Sequence, residues 1–159
     1  MNRPPKIHIS TLQNSDRDMV IELLMDDQVM KYLGPRRPLD SAEANSWFDN
    51  ALAHPSRFPF RSAQTGEIIG FCGIKPIDGE LDFGYYLHRK FWGQGLGKRM
   101  CILALEKLSD TYDLSSFKVF IADGNHASKR LAHSLGWRAI MKVQENHESG
   151  YRYHIPNAQ

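Results

Sequence analysis

The segment of this chain with the most chemical potential is Trp92-Gly93-Gln94-Gly95-Leu96-Gly97-Lys98. It follows a stretch patterned as a strand and opens one patterned as a helix. Glycines in such a place let the backbone turn sharply, so that several N–H groups can face one anion. The start of a helix adds partial positive charge at the same spot. A pyrophosphate can be held this way with few charged side chains. Spacing alone leaves two readings open, a phosphate cradle or a tight structural turn. The dinucleotide fingerprint G-x-G-x-x-G belongs to a first strand–helix unit and is followed by an acidic residue about 20 positions later. Here Gly93, Gly95 and Gly97 give G-x-G-x-G, after several strands, and the P-loop pattern is absent.

A second set lies downstream: Asp123-Gly124-Asn125-His126-Ala127-Ser128-Lys129-Arg130-Leu131-Ala132-His133-Ser134-Leu135-Gly136-Trp137. Asn125 is a favoured helix cap and Ser128 falls in the first turn beyond it. Gly136 is placed to end that helix.

Taken together, the two sets resemble the GNAT superfamily of N-acetyltransferases. Leu81 to Arg99 looks like the family's acyl-CoA motif, a strand followed by Q/R-x-x-G-x-G/A and a helix, with Gly95 and Gly97 at the glycine positions. Val119 to Trp137 is similar to its second signature, N-x-x-S/A … L-G-F/W. The likeness covers nearly the whole chain and is strongest over residues 67 to 137. Trp92-Gly93 is nearest in appearance to the branch that acetylates ribosomal-protein N-termini at alanine or serine. The resemblance implies acetyl-CoA as co-substrate and direct acetyl transfer to a primary amine, either a protein N-terminal α-amino group or a small molecule. It implies cofactor contacts from backbone near Tyr86 and Leu87, from Trp92 through Lys98, and from Asn125, Ser128 and Lys129. It puts Tyr32 and Trp47 on the acceptor side, although helical spacing around Trp47 equally suits core packing. Ala132 stands where many members carry the tyrosine that protonates the departing thiolate. That departure motivates an alternative, a non-catalytic acyl-CoA-binding sensor or scaffold of the same fold.

The implied chemistry sets its own requirements. An alkyl amine with a pKa of about 10.4 must lose a proton before it attacks a thioester, and a carboxylate or a water chain leading to one can accept it. The resulting oxyanion suits a backbone N–H. The leaving thiol, with a pKa near 8.5, gains less from an acid. Alternation along the strand puts Glu80, Asp82, Gly84 and Tyr86 on one face and Leu81, Phe83, Tyr85 and Leu87 on the other. Asp82 is the first candidate base and Glu80 the second; an exposed strand carboxylate is the competing explanation for each. Ser128 is the substitute acid. Neither Cys72 nor Cys101 has a neighbour in sequence that would activate it, so no acetyl-enzyme is expected. The seven histidines form no metal-binding spacing, and no metal is expected.

These residues need elements to carry them. Ile7, Ile9 and Thr11 alternate as a first strand, and Met19, Val20, Leu23 and Leu24 have helical spacing between Asp16 and Met25. Asp40 and Glu43 read as a capping box opening a helix that runs to about His54, before Pro55. Strands follow over Phe58–Ala63, Glu67–Ile74 and Leu81–Leu87, with Asp78-Gly79 as a hairpin turn. A helix begins beyond Gly95, a strand runs over Phe117–Ala122, and the Asn125 helix precedes strands near Trp137–Val143 and Tyr151–Ile155. The expected fold is mixed α/β (α+β-like): a central mixed sheet of about six to seven strands flanked by about four helices, in one domain spanning residues 1–159.

The chain has 159 residues, 42% hydrophobic and 24% charged, with a formal net charge of +2. That balance argues for no nucleic-acid partner. No run approaches the roughly 20 apolar residues a membrane helix needs, and no signal peptide is visible at the start. A cytoplasmic monomer or homodimer is the expectation.

Overall fold

The computed structural model describes residues 5–145 and 147–157. Their order is β1 (Ile7–Ile9), α1 (Arg17–Leu24), α2 (Ser41–Ala53), β2 (Phe58–Ser62), β3 (Ile68–Ile77), β4 (Glu80–Leu87), α3 (Leu96–Leu108), β5 (Phe120–Ala122), α4 (His126–Ser134), β6 (Arg138–Glu145) and β7 (Glu148–His154). This is the element order expected from the sequence, with seven strands and four α-helices among the described residues.

Local signals account for the helix ends. Asp40 accepts a hydrogen bond from the Glu43 N–H at 2.8 Å, and Glu43 reaches back to the Asp40 N–H at 3.0 Å. Arg37 grips both Glu43 oxygens at 2.8 Å, and this guanidinium lowers the Glu43 carboxyl to about 2. At the end of α4, Gly136 takes a left-handed φ of 78°. Gly136 N–H then reaches the His133 carbonyl at 3.1 Å and Trp137 N–H the Ala132 carbonyl at 3.0 Å, so that two of the helix's last carbonyls are satisfied.

The strands form two sheets rather than one: a four-stranded sheet ordered β1-β2-β3-β4 and a three-stranded sheet ordered β5-β7-β6. The β1–β2, β2–β3, β5–β7 and β6–β7 pairs are antiparallel. Asp82 and Lys118 form an isolated parallel bridge. There Lys118 N–H donates to the Leu81 carbonyl at 2.8 Å and Phe83 N–H to the Lys118 carbonyl at 2.9 Å. Because Lys118 pairs with β4, regular strand β5 starts only at Phe120, later than the expected Phe117.

By contacts the chain divides into two compact units. The first takes the residues up to Gly73 together with Tyr85–Ala104; the second takes Ile74–Gly84 and the residues from Leu105 onward. The first unit buries Val20, Leu23, Leu24, Met30, Phe48, Ile68 and Phe71 in one cluster. Its buried ion pair is Asp16–Arg61, with Arg61 holding both carboxylate oxygens at 2.9 Å. The second unit centres on Phe83, which stacks on Phe117 at 6.2 Å and meets the Trp137 edge at 5.8 Å.

In the first unit, β3 and β4 approach unusually closely at Gly70. A Cβ added there would sit 2.0 Å from the Tyr86 carbonyl oxygen and 3.1 Å from the Leu87 Cα. Backbone atoms, unlike a side-chain tip, cannot step aside. Gly70→Ala is therefore expected to destabilise the protein by about 1–3 kcal/mol, the usual cost of overpacking. A urea melt checks this, and an unchanged midpoint would show that the strands can part without loss.

Candidate functional site

In the first unit, the end of β4 and the start of α3 bracket the glycine segment. Alternation of burial along β4 holds at Phe83 and then stops, since Tyr86, Leu87 and His88 are all buried. His88 N–H donates to the Ile69 carbonyl at 2.8 Å, and its Nδ1 accepts the Lys90 N–H at 3.1 Å. Residues Arg89–Phe91 make one 3-10 turn. Ion pairs flank that turn, Arg89 with Asp26 at 2.9 Å and Lys90 with Glu67 at 3.0 Å. Both cations are more than half exposed, so each pair is worth at most about 1 kcal/mol. Trp92 then folds its indole back, with Nε1–H donating to the Leu87 carbonyl at 2.8 Å. The ring stays 44% exposed, so the hydrogen bond fixes its direction more than burial does.

Gly93 and Gly95 have φ of 76° and 74°, a region that costs an L-residue about 1–2 kcal/mol. A Cβ at either would meet nothing within 4 Å. These glycines are required by backbone direction, not by crowding, and the space beside them is open. Gly97 is different: it lies in the first turn of α3 and has no positive φ. Leu96 is buried, while Gln94 and Lys98 are exposed. Gly95 supplies the first carbonyl of the helix, accepting Arg99 N–H at 3.1 Å. The N–H groups at the head of such a helix have no intrahelical acceptor. A backbone cradle of this kind fits a pyrophosphate.

The acceptor-side candidates also lie in the first unit. Trp47 packs against Phe71 at 5.1 Å and Tyr86 at 5.9 Å, half-buried at the margin of the core. Tyr32 is half-buried in the 3-10 turn Val29–Tyr32, with Lys31 Nζ 5.5 Å from its ring centre.

The second unit carries the carboxylates and the second signature. Glu80 is clasped by Arg152 at 2.8 and 3.2 Å, and that hydrogen bonding holds its carboxyl below the usual range. Arg152 also binds Glu145, which in turn pairs with Lys118 at 2.9 Å. Asp82 is half-buried and flanks this network through its backbone bridge to Lys118. Asn125 caps α4 as expected, its Oδ1 accepting Ser128 N–H at 3.3 Å. Ser128 is half-buried, and Lys129 Nζ reaches the Asp123 carbonyl at 3.3 Å. Ala132 is fully buried, so no hydroxyl is offered there. Sequence spacing missed Arg152 and His88: Arg152 meets Glu80 across 72 positions, and His88 was only one of seven histidines.

A family model described as an acetyltransferase (GNAT) domain matches residues 6–138. The chain belongs to the GNAT acetyltransferase family. This GNAT protein is 26% identical over 145 residues to a Bacillus licheniformis protein named uncharacterized N-acetyltransferase p20, covering 84% of this chain and 79% of that one. It is also 26% identical over 113 residues to the FsC-acetyl coenzyme A-N(2)-transacetylase of Aspergillus fumigatus, covering 59% and 48%. Among solved structures, a GNAT-family acetyltransferase from Bacillus anthracis superposes with a TM-score of 0.81 at 17% identity, covering 98% of this chain and 97% of that one. A spermidine N-acetyltransferase from Vibrio cholerae, in complex with CoA and spermine, gives 0.76 at 18% identity and 95% of each chain. Among the described residues no helix is long and apolar enough to cross a membrane, and no group of three or more His, Cys, Asp or Glu side chains is arranged to hold a metal.

The first unit of this GNAT protein also holds both cysteines, fully buried with their sulfurs 3.9 Å apart. Burial pushes the Cys72 thiol well above its ordinary range, and the adjoining Cys101 adds to the shift. A thiol so placed is a packing group, not a nucleophile. Ellman's reagent at neutral pH is expected to label neither cysteine in the native protein and both after denaturation. Fast labelling of native protein would contradict this assignment.

Proposed function

We propose that this protein transfers an acetyl group from acetyl-CoA directly to a primary amine. The observation that carries the reading is the pair of left-handed glycines, Gly93 and Gly95, opening α3 beside empty space in a chain of this family. The name of the p20 relative and the CoA and spermine bound in the Vibrio cholerae structure support the cofactor and the amine acceptor. Acetyl-CoA brings the activated acetyl group as a thioester. Backbone N–H groups of Gly93 through Lys98 take its pyrophosphate, and backbone near Tyr86 and Leu87 takes the pantetheine. Family resemblance assigns further cofactor contacts to Trp92, Asn125, Ser128 and Lys129, and the acceptor side to Tyr32 and Trp47. The acceptor is a small-molecule amine or a protein N-terminus; the resemblance of Trp92-Gly93 to the ribosomal-protein branch keeps the latter in the assay.

Asp82 is the preferred base over Glu80. A carboxylate gripped by a guanidinium is a poorer proton acceptor, and Glu80 is gripped by Arg152. The buried thiols support transfer without an acetyl-enzyme. Ser128 remains the candidate acid, because Ala132 offers no hydroxyl. That same alanine favours the second reading, an acyl-CoA-binding sensor without turnover.

Two experiments test the proposal. Gly95→Val forces a β-branched residue into a left-handed position and reorients the loop's N–H groups. Calorimetry with CoA is expected to show binding weakened by at least about tenfold, or ~1.4 kcal/mol. A folded variant with unchanged affinity would remove the pyrophosphate from this loop.

A thiol-release assay across an amine panel, including polyamines and N-terminal peptides, separates enzyme from sensor. With an accepted amine, Asp82→Asn is expected to lower turnover on the order of a hundredfold at pH 7 while leaving CoA affinity intact. The deficit should shrink at alkaline pH, where more of the amine is already deprotonated. No thiol release with any amine, despite CoA binding, would favour the sensor; full turnover by the variant would transfer the base role elsewhere.

A further inference from the structure

His88 has a side chain that burial would make costly without a hydrogen-bond partner. It is 5% exposed, packed edge-on to Phe91 with ring centres 6.3 Å apart. Its Nδ1 accepts the Lys90 N–H, two residues ahead, at 3.1 Å. An acceptor at Nδ1 requires the proton to sit on Nε2. That nitrogen makes no hydrogen bond among the described residues, and its nearest carboxylate oxygen is Glu22 Oε1 at 3.4 Å. Asn and Asp are the side chains that ordinarily cap a turn in this i to i+2 fashion. At position 88 an imidazole does the same work, with one difference: it can be switched off by a second proton.

The turn that His88 caps leads directly into the glycine loop. Phe91 N–H donates to the His88 carbonyl at 2.9 Å and Trp92 N–H to the Arg89 carbonyl at 3.0 Å. Trp92 then returns to the Leu87 carbonyl through its indole. The backbone from Leu87 to Trp92 is thus a closed set of hydrogen bonds, and the His88 ring supplies its only contribution from a buried titratable side chain. We propose that His88 is a positioning residue for cofactor binding: its neutral imidazole caps the Arg89–Phe91 turn and so aims the loop that begins at Trp92. This rests on the proposal that the loop takes the pyrophosphate of CoA.

Protonation converts Nδ1 from acceptor to donor, facing the Lys90 N–H, and the cap is lost. The charged groups placed against the ring are Glu22 from α1, Glu67 ahead of β3 and Lys90 on the turn itself. Asp26 and Glu67 are already paired with Arg89 and Lys90. Glu22 is 70% exposed at its side chain and can take up an imidazolium through Nε2. Gain of that screened pair does not restore the Lys90 acceptor.

The test compares wild type, His88→Leu and His88→Asn in the full chain, with CoA as the calorimetric probe and acetyl-CoA in turnover. At pH 8, H88L should bind CoA about fivefold more weakly, roughly 1 kcal/mol, with the loss in KM for acetyl-CoA rather than in kcat. H88N, which keeps an acceptor but cannot titrate, should restore affinity to within about twofold of wild type. Acidification from pH 8 to 5.5 should weaken wild type about threefold more than H88N, because only an imidazole can exchange its Nδ1 acceptor for a donor. The difference between the two proteins removes titration of the nucleotide itself. Should H88L fail to fold, the wild-type and H88N pH profiles decide alone. Equal affinity of folded H88L and wild type, H88N as weak as H88L, or parallel pH profiles would each overturn the assignment. Wild type that binds no CoA would overturn the proposed function and this inference with it, whereas a loss confined to Gly95→Val would spare the former and remove only the latter.

Discussion

At Gly70, β3 and β4 come together so closely that the Tyr86 carbonyl occupies the place of a side chain. Much of the first unit's local geometry depends on that contact. It brings the Ile69 carbonyl within 2.8 Å of His88 N–H, so β4 stays paired to its last turn. Leu87, one residue earlier, offers its carbonyl to Trp92 Nε1. Buried backbone groups must find partners, and here the partners come from the residues that follow. The chain leaves the strand, turns once and enters the glycine segment under hydrogen bonds that leave it few alternatives. Only after this has the backbone the freedom that Gly93 and Gly95 provide. Rigidity on one side of the loop and permissiveness within it belong to the same design.

The second unit solves a different problem, the placement of several carboxylates close together. Glu80, Glu145, Arg152 and Lys118 form a chain of ion pairs in which each acid has a basic partner. Such pairs add little stability when exposed. Their chemical effect is larger: they hold Glu80 ionised and occupied. Asp82, two residues on, shares the strand and meets Lys118 through its backbone bridge. The guanidinium that holds Glu80 lies 72 positions away in sequence.

The sequence made visible whatever was encoded within a few residues. The Asp40–Glu43 box, the Asn125 cap, the Gly136 stop and the element order all rest on short-range rules, and all are present in the structure. The glycine loop was legible for the same reason, with Gly93 and Gly95 left-handed and Gly97 in the first turn of α3. Sheet partition was not legible, because it depends on where Lys118 bonds and on how little of β5 remains to pair. The role of Gly70 was hidden inside an apolar run, Ile68-Ile69-Gly70-Phe71-Cys72, that reads simply as buried strand. Glu22 and His88, like Glu80 and Arg152, meet across distances no periodicity spans.

Ala132 puts no hydroxyl where the resemblance implies a tyrosine, and the energetics of the two proton transfers of the proposed reaction bear on how much that matters. The incoming alkyl amine, with a pKa of about 10.4, is almost wholly protonated at neutral pH. Without a base the reactive fraction is below about one part in a thousand. The leaving thiol, with a pKa near 8.5, departs as a thiolate only one or two units above ambient pH. A missing acid therefore handicaps the reaction far less than a missing base. The structure is consistent with that asymmetry: position 132 is given to packing beneath the α4 cap, with Ala132 fully buried and its carbonyl holding Trp137. Asp82, by contrast, is half-buried on β4.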